Sequence, residues 1–193
     1  MKRVCVFCGA NAGIGAAYEA GALATGRALA ARGIGLVYGG GAIGLMSAVA
    51  RGVREAGGTV TGIIPFGLVA REAALSDLPD LRIVASMHER KALMAELSDG
   101  FLVLPGGYGT LEEAVETLTW LQLGIHRKGI VFVDIAGFWS RQMAVFDHMM
   151  AEGFLRPEMR ALATLAPDAE SALDMLAGLR APDVPRWLTP DQA

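Results

Sequence analysis

The sequence has few of the residues that bind metal ions or cross-link a fold. Its 193 residues include 2 cysteines and 3 histidines. The histidines are scattered, without cysteine partners at zinc-finger spacing and without an H-E-x-x-H motif, so we expect no metal site. Cys5 and Cys8 lie in an apolar run, where strand geometry would point them to opposite faces of a sheet. We therefore expect two buried free thiols.

A positive charge surplus and long apolar runs are also missing. Charged residues make up 19% of the chain, and the net charge is -3 at pH 7. This argues against a nucleic-acid partner, because phosphate backbones are normally met by an excess of Lys and Arg. No apolar run reaches the roughly 18 residues of a membrane span, and the charged start leads directly into a strand-like stretch instead of a signal peptide. We expect a cytoplasmic protein with no membrane partner.

Short apolar segments alternate with longer helical ones along the chain, of which 53% is hydrophobic. Strands that are apolar throughout are covered on both faces, and intervening helices supply the crossovers of a parallel sheet. We predict an α/β fold with a Rossmann-like doubly wound parallel sheet in three α/β/α layers. The predicted strands are 3–8, 34–38, 59–64, 81–85, 100–104, 130–133 and 162–165; the predicted helices are 16–32, 45–56, 87–97, 111–123, 140–151 and 169–179. Residues 1–181 are predicted to form one domain, and 182–193 a loosely packed tail.

Three of the predicted strands lead into helices through glycine-rich loops, at residues 9–15, 39–44 and 105–110. Ligands of an open parallel sheet bind beyond the carboxyl ends of the strands, where these loops lie. Glycine lets bare backbone approach a ligand, and a helix start offers N–H groups and a positive dipole end to phosphate. Three such loops at one edge predict an anion site.

The second loop matches the dinucleotide pattern G-x-G-x-x-G at Gly39, Gly41 and Gly44. An NAD site also needs an acidic residue near the end of the next strand, where this chain is apolar. A P-loop fails as well, because Leu45 follows Gly44 where lysine is required. The loop therefore favours neither a dehydrogenase nor a nucleoside triphosphatase.

Two cations occupy an unusual place at the start of the predicted helix 87–97. Ser86 and Glu89 have the spacing of a capping box, which puts Arg90 and Lys91 in the first helical turn. Cations there oppose the helix dipole. We interpret them as ligands for an external anion, against the alternative of solvated surface charges.

Thr110 and Glu113 have capping-box spacing too, so Glu113 could be only a helix cap. A carboxylate at that position would also face the crevice at the sheet edge. Both roles stay open for Glu113 at this point. The apolar side chains of the predicted helix 111–123 are expected in the core or in a subunit contact.

Two motifs, M-H-E-R-K at 87–91 and P-G-G-Y-G-T-L-E-E at 105–113, resemble those of the Lonely Guy (LOG) family. The similarity covers nearly the whole chain apart from its C-terminal tail. The resemblance implies hydrolysis of cytokinin riboside 5'-monophosphates, and in many members of plain AMP, to free base and ribose 5-phosphate. It further implies a homodimer that uses no cofactor.

The resemblance also implies the site residues. Its catalytic pair falls on Arg90 and Glu113. Its nucleotide-binding positions fall on Glu72, Lys91, Gly107, Tyr108, Gly109, Thr110, Leu111, Glu112 and Thr119. The other two glycine loops add Gly9, Gly39, Gly40 and Gly41 as candidates for contact with the substrate.

Cleavage of an N-glycosidic bond builds positive charge on ribose, so it needs a carboxylate near the sugar. Glu113 suits that task, with Arg90 bridging it to the substrate and the 107–110 backbone receiving the phosphate. Asn11 and Glu72 are candidates for positioning the base or sugar.

Two alternatives stay open: an AMP nucleosidase without a role in cytokinin production, and a non-catalytic carrier of a phosphorylated cofactor such as molybdenum cofactor. Sequences of this kind are often described as lysine decarboxylases. That activity would need pyridoxal phosphate on a lysine, and Lys2, Lys91 and Lys128 are the only lysines. None has a recognisable cofactor setting, so we reject it.

Overall fold

Strands and helices alternate through residues 1–69 and 78–179, the parts of the chain that this computed structural model describes. The strands are β1 (Arg3–Phe7), β2 (Gly35–Tyr38), β3 (Val60–Pro65), β4 (Asp80–Val84), β5 (Gly100–Val103), β6 (Ile130–Val133) and β7 (Thr164–Ala166). The α-helices are α1 (Ala16–Ala31), α2 (Gly44–Glu55), α3 (Met87–Leu97), α4 (Tyr108–Gln122), α5 (Ser140–Ala151), α6 (Pro157–Arg160) and α7 (Ala169–Gly178). The predicted tail 182–193 lies outside the described residues.

All strand pairings are parallel, and the sheet order is β4-β3-β2-β1-β5-β6-β7. The chain winds outward from β1 to β4 and then crosses back to place β5 on the other side of β1. This reversal is a topological switch point, and in such sheets the ligand crevice lies beyond the carboxyl ends of the two strands there. The predicted Rossmann-like, doubly wound fold is confirmed.

The sheet separates two apolar cores, as alternating strand side chains require. Val4 and Cys8 of the first strand segment belong to the core that α1, α2 and α7 cover. Cys5 belongs to the other core, beneath α3, α4 and α5. Both cysteines are buried free thiols on opposite faces, as predicted. No helix in the described ranges is long and apolar enough to span a membrane.

Helices α1 and α2 pack backbone to backbone through two glycines. A Cβ on Gly26 would lie 2.3 Å from the Val49 carbonyl oxygen, and one on Gly52 would lie 2.3 Å from the Leu23 carbonyl oxygen. Side chains at these positions would force the helices apart. Because each helix begins where a glycine loop ends, this close packing also holds the loops 9–15 and 39–44 together.

Most of the predicted boundaries fall close to the observed ones, and the differences have local causes. Helix α4 begins three residues before the predicted start, at Tyr108, because Gly107 already has the extended conformation of an N-cap. The last strand is Thr164–Ala166, slightly later than predicted. The short helix Pro157–Arg160 was not predicted; it begins with proline, which suits the first position of a helix.

His126 ties the end of α4 to the segment that enters β6. Lys128 donates its backbone N–H to His126 Nδ1 at 3.1 Å, and His126 Nε2 lies 3.1 Å from the Thr117 carbonyl oxygen. Since Nδ1 accepts a hydrogen bond, Nε2 carries the proton of a neutral ring. Burial, and then the positive charge of Lys128, lower the pKa of His126 from 6.5 to about 4.

We expect the free energy of unfolding to fall as the pH drops from 6.5 to about 4. In this window the unfolded chain binds a proton at His126 that the folded chain does not, so acid favours unfolding, by roughly 1–3 kcal/mol. His126→Gln removes this titration. The stability difference between wild type and variant should therefore shrink between about pH 7.5 and about pH 4.5 in denaturant titrations. A difference that stays constant over this range would contradict the assignment.

Candidate active site

Three glycine loops meet at the carboxyl edge of the sheet. Gly9 donates its backbone N–H to the Pro105 carbonyl at 3.0 Å, and Leu45 donates its own to the Gly9 carbonyl at 3.0 Å. A Cβ on Gly44 would lie 2.3 Å from the Ala10 carbonyl oxygen, so the loops 9–15 and 39–44 are in direct contact. Together they enclose a cavity of about 430 Å³. This volume is within the usual range of small-molecule sites.

The structure brings many of the predicted site residues to this cavity and leaves others outside it. The predicted residues that line it are Gly9, Asn11, Gly39, Arg90, Gly107, Gly109, Thr110, Glu112 and Glu113. Those outside its lining are Gly40, Gly41, Lys91, Tyr108, Leu111 and Thr119. Exposed Thr119 is farthest along α4, roughly 16 Å from the helix start. Glu72 lies outside the described residues.

Arg90 is buried at the centre of the site, with 5% of its surface exposed. Its Nε donates to the Ile63 carbonyl at 3.1 Å, and Nη2 donates to the Gly39 carbonyl at 3.0 Å. Ile63 lies within β3 and Gly39 directly follows β2, so the guanidinium is fixed to the carboxyl edge of the sheet. The alternative of a solvated surface charge is wrong for Arg90.

Gly39 provides the space that this guanidinium needs. A Cβ on Gly39 would lie 1.9 Å from Arg90 Nη2. Gly40 instead packs against β3, where its Cβ would lie 3.2 Å from Ile64 Cβ. Gly39 and Gly40 are therefore required for close packing, a role that the sequence pattern did not indicate.

Glu113 is also buried, at 9% exposure, and faces Arg90. Its Oε1 lies 3.7 Å from Arg90 Nη1, an ion pair somewhat longer than a hydrogen bond. The predicted Thr110–Glu113 capping box is wrong, because the N-cap of α4 is Gly107 and both residues lie inside the helix. A cap is therefore not the reason for a carboxylate at position 113.

Lys91 is held by two carboxylates of α4. Its Nζ lies 2.5 Å from Glu112 Oε1 and 2.9 Å from Glu116 Oε2. Burial opposes the charge on Lys91, but these two hydrogen bonds outweigh burial and raise its pKa above the ordinary value. The unfavourable positions of Arg90 and Lys91 at the start of α3 are thus offset by glutamates of α4, and not only by an external anion as we had interpreted them.

The first turn of α4 is open on the cavity side. Among residues 1–69 and 78–179, no side chain caps this helix, and no atom would lie within 4 Å of a Cβ on Gly107 or Gly109. The first N–H groups of a helix lack acceptors within it and carry the positive end of the dipole. This turn can therefore receive an anion beside the Arg90–Glu113 pair.

Cys8 lines the cavity but is unsuited to nucleophilic attack. Burial, and then the negative charge of Glu113, raise the pKa of its thiol. The sulfur thus stays protonated at neutral pH, whereas the thiolate is the nucleophile. Within residues 1–69 and 78–179, no group of three or more His, Cys, Asp or Glu side chains could hold a metal ion.

Comparison with known proteins shows the family of this chain. A family model described as possible lysine decarboxylase matches residues 46–176. A probable cytokinin riboside 5'-monophosphate phosphoribohydrolase of Oryza sativa subsp. japonica is 47% identical over 91% of this chain and 78% of its own length. A cytokinin riboside 5'-monophosphate phosphoribohydrolase of Arabidopsis thaliana is 44% identical over 91% of this chain and 82% of its own. The chain belongs to the LOG family.

Solved structures of more distant proteins have a similar fold. The molybdenum cofactor carrier protein of Chlamydomonas reinhardtii superposes with a TM-score of 0.69 at 21% identity, over 92% of this chain and 99% of that one. A molybdenum cofactor binding protein of Rippkaea orientalis gives 0.68 at 16% identity, over 92% and 97%. At these identities the likeness shows a shared fold alone.

Several cavity residues of this LOG protein escaped the sequence analysis. Met87 was in a recognised motif, but nothing marked its side chain as part of the site. Phe138 follows β6 at the same sheet edge, a place that could have drawn attention to it. Tyr18 and Met46 lie within helices and carry no local signal. The residues added by the structure include Tyr18, Met46, Leu68, Met87, Met94 and Phe138.

Gly39→Ala should destabilise the protein by about 3 kcal/mol or more. The added Cβ would displace the guanidinium of Arg90 from its two carbonyls and from Glu113, which leaves buried charges poorly paired. Gly67→Ala is the control, because no atom in the described part of the chain lies within 4 Å of a Cβ there; it should change stability by no more than about 0.5 kcal/mol. Denaturant unfolding measures both. Equal effects of the two substitutions would show that Gly39 does not hold space for Arg90.

Proposed function

We propose that this protein hydrolyses the N-glycosidic bond of AMP-like nucleotides in the cytoplasm, releasing free base and ribose 5-phosphate, with cytokinin riboside 5'-monophosphates as the substrate class. The observation that carries this proposal is the buried Arg90–Glu113 pair beside the open first turn of α4, in one cavity. The names of its LOG relatives support the same reaction.

The phosphate binds at the first turn of α4 in this proposal. Gly107 and Gly109 leave the backbone accessible there, and the helix dipole favours a negative charge. Phosphate binding fixes the position of the 5' end of the nucleotide. The covalent structure of ribose 5-phosphate then sets how far the anomeric carbon lies from that end. That carbon then lies near Glu113, further along the same helix.

Glu113 acts on the sugar. During cleavage the bond between the base and C1' breaks and the ribose ring gains positive charge, which a nearby carboxylate stabilises. The water oxygen bonds to C1', and one water proton ends on the departing base. Glu113 orients the water and stabilises the positive charge that the water develops as it attacks. Burial strengthens these interactions, because little solvent screens them.

Arg90 is a positioning residue for Glu113. Its anchoring to Ile63 and Gly39 fixes the guanidinium, and the guanidinium in turn fixes the carboxylate. Lysine in its place could not make this fork of contacts to two carbonyls and a carboxylate.

The family's other description, lysine decarboxylase, does not fit the side chains around this cavity. A pyridoxal phosphate site needs a lysine whose amine can form a Schiff base. No lysine is among the described residues that line the cavity. Lys91 is held by two glutamates, and Lys128 Nζ donates to the Ala95 carbonyl at 2.6 Å.

Glu113→Gln should lower kcat by on the order of a hundredfold or more, because the amide cannot offset charge on the ribose. Free base released from AMP and from isopentenyladenosine monophosphate, separated by chromatography, measures the effect. Glu116→Gln is the matched control: it also lies on α4 and pairs with a cation of α3, but it is outside the cavity lining. Near-normal kcat for Glu113→Gln would contradict the assigned chemistry.

We also propose that the protein is a homodimer. The surface of α4 exposes Val115 at 40%, and α5 exposes Val145 at 45% and Met149 at 42%. Light scattering should then give about twice the chain mass of 20.2 kDa. A species of single-chain mass at micromolar concentration would contradict the proposal.

A further inference from the structure

A second cavity, of about 420 Å³, lies beside the start of α4. It shares Gly106, Gly107 and Phe138 with the first cavity, so the two adjoin where the chain enters the helix. The second cavity also includes exposed Arg141 on its rim. Among these shared residues, Phe138 has the one bulky side chain, and it is partly exposed.

Aromatic neighbours on two sides hold the Phe138 ring. Its centroid is 4.9 Å from that of Trp139 and 5.9 Å from that of Tyr18, both in edge-to-face arrangements. Trp139 is itself fixed, with 3% exposure and a hydrogen bond from Nε1 to the Val103 carbonyl at 3.1 Å. The ring therefore cannot turn away without losing these contacts.

The loop that carries Phe138 is equally constrained. Asp134 Oδ1 accepts the backbone N–H groups of Trp139 at 2.6 Å and of Ser140 at 3.1 Å. Ala136 has a φ of 54°, a conformation that alanine adopts only where its surroundings impose it. The loop and the ring of Phe138 are thus held in one position beside the cavity.

We propose that Phe138 is the specificity-determining residue that restricts the substrate to a single 5'-phosphate. The inference rests on the proposed function, in which ribose lies at Glu113 and phosphate at the first turn of α4. A second phosphate would extend away from the ribose, toward the boundary at Gly107, and there it would meet the ring. Removing the ring joins the two cavities and gives the extra phosphate space near Arg141.

The test compares kcat/KM for ADP and AMP in wild type, Phe138→Ala and Phe138→Leu. Wild type should strongly prefer AMP, and Phe138→Ala should raise the ADP to AMP ratio by about tenfold or more, the size of a steric discrimination. Phe138→Leu should fall between them and keeps an apolar contact with Trp139. Phe154→Ala is the control, since Phe154 is 89% exposed and lines neither cavity; its ratio should equal that of wild type.

The outcomes separate this inference from the function on which it rests. Release of base from AMP with an unchanged ratio in both Phe138 variants would overturn the role of Phe138 and leave the proposed hydrolase intact. Comparable use of ADP and AMP by wild type would overturn it as well. If wild type releases no base from either nucleotide, the proposed function is itself wrong, and the inference is overturned with it.

Discussion

The buried guanidinium of Arg90 is the interaction on which the active site depends. It bridges the ends of two strands to a carboxylate on a helix that follows a third strand. A buried charge is costly unless its partners are well placed, so strands, loop and helix must keep their relative positions. Gly39 is part of the same constraint, because a side chain there would occupy the place of Nη2.

The glutamates near the start of α4 pair with different cations of α3. Glu112 and Glu116 neutralise Lys91 on one side, and Glu113 faces Arg90 inside the cavity. No side chain of the described residues caps the first turn, so its dipole is available to an anion. A shared fold with cofactor carriers is compatible with this, since function depends on the groups placed at the sheet edge and not on the sheet.

The strands and helices could be predicted from the sequence because apolar strand segments and helices that end at glycine are local patterns. Helices α3 and α5, for example, have the predicted bounds. The family resemblance also pointed to Arg90 and Glu113, which the structure places together at the cavity. The start predicted for α4 was wrong. Thr110 and Glu113 have the spacing of a capping box, but the N-cap is Gly107, in an extended conformation. The sequence could not show that Gly39 makes room for Arg90, 51 positions away, or that Phe138 lines two adjoining cavities. Such contacts join residues that are distant in the chain, so no regular spacing in the sequence indicates them.

The central claim is that Glu113 lies at the sugar while phosphate occupies the first turn of α4. A crystal structure of Glu113→Gln with AMP tests it most directly, because slow turnover should preserve the nucleotide. We expect phosphate oxygens within hydrogen-bond distance of the backbone N–H groups at the start of α4. C1' should lie in contact with the side chain at position 113. A nucleotide with its base against position 113, or with its phosphate away from α4, would contradict the account.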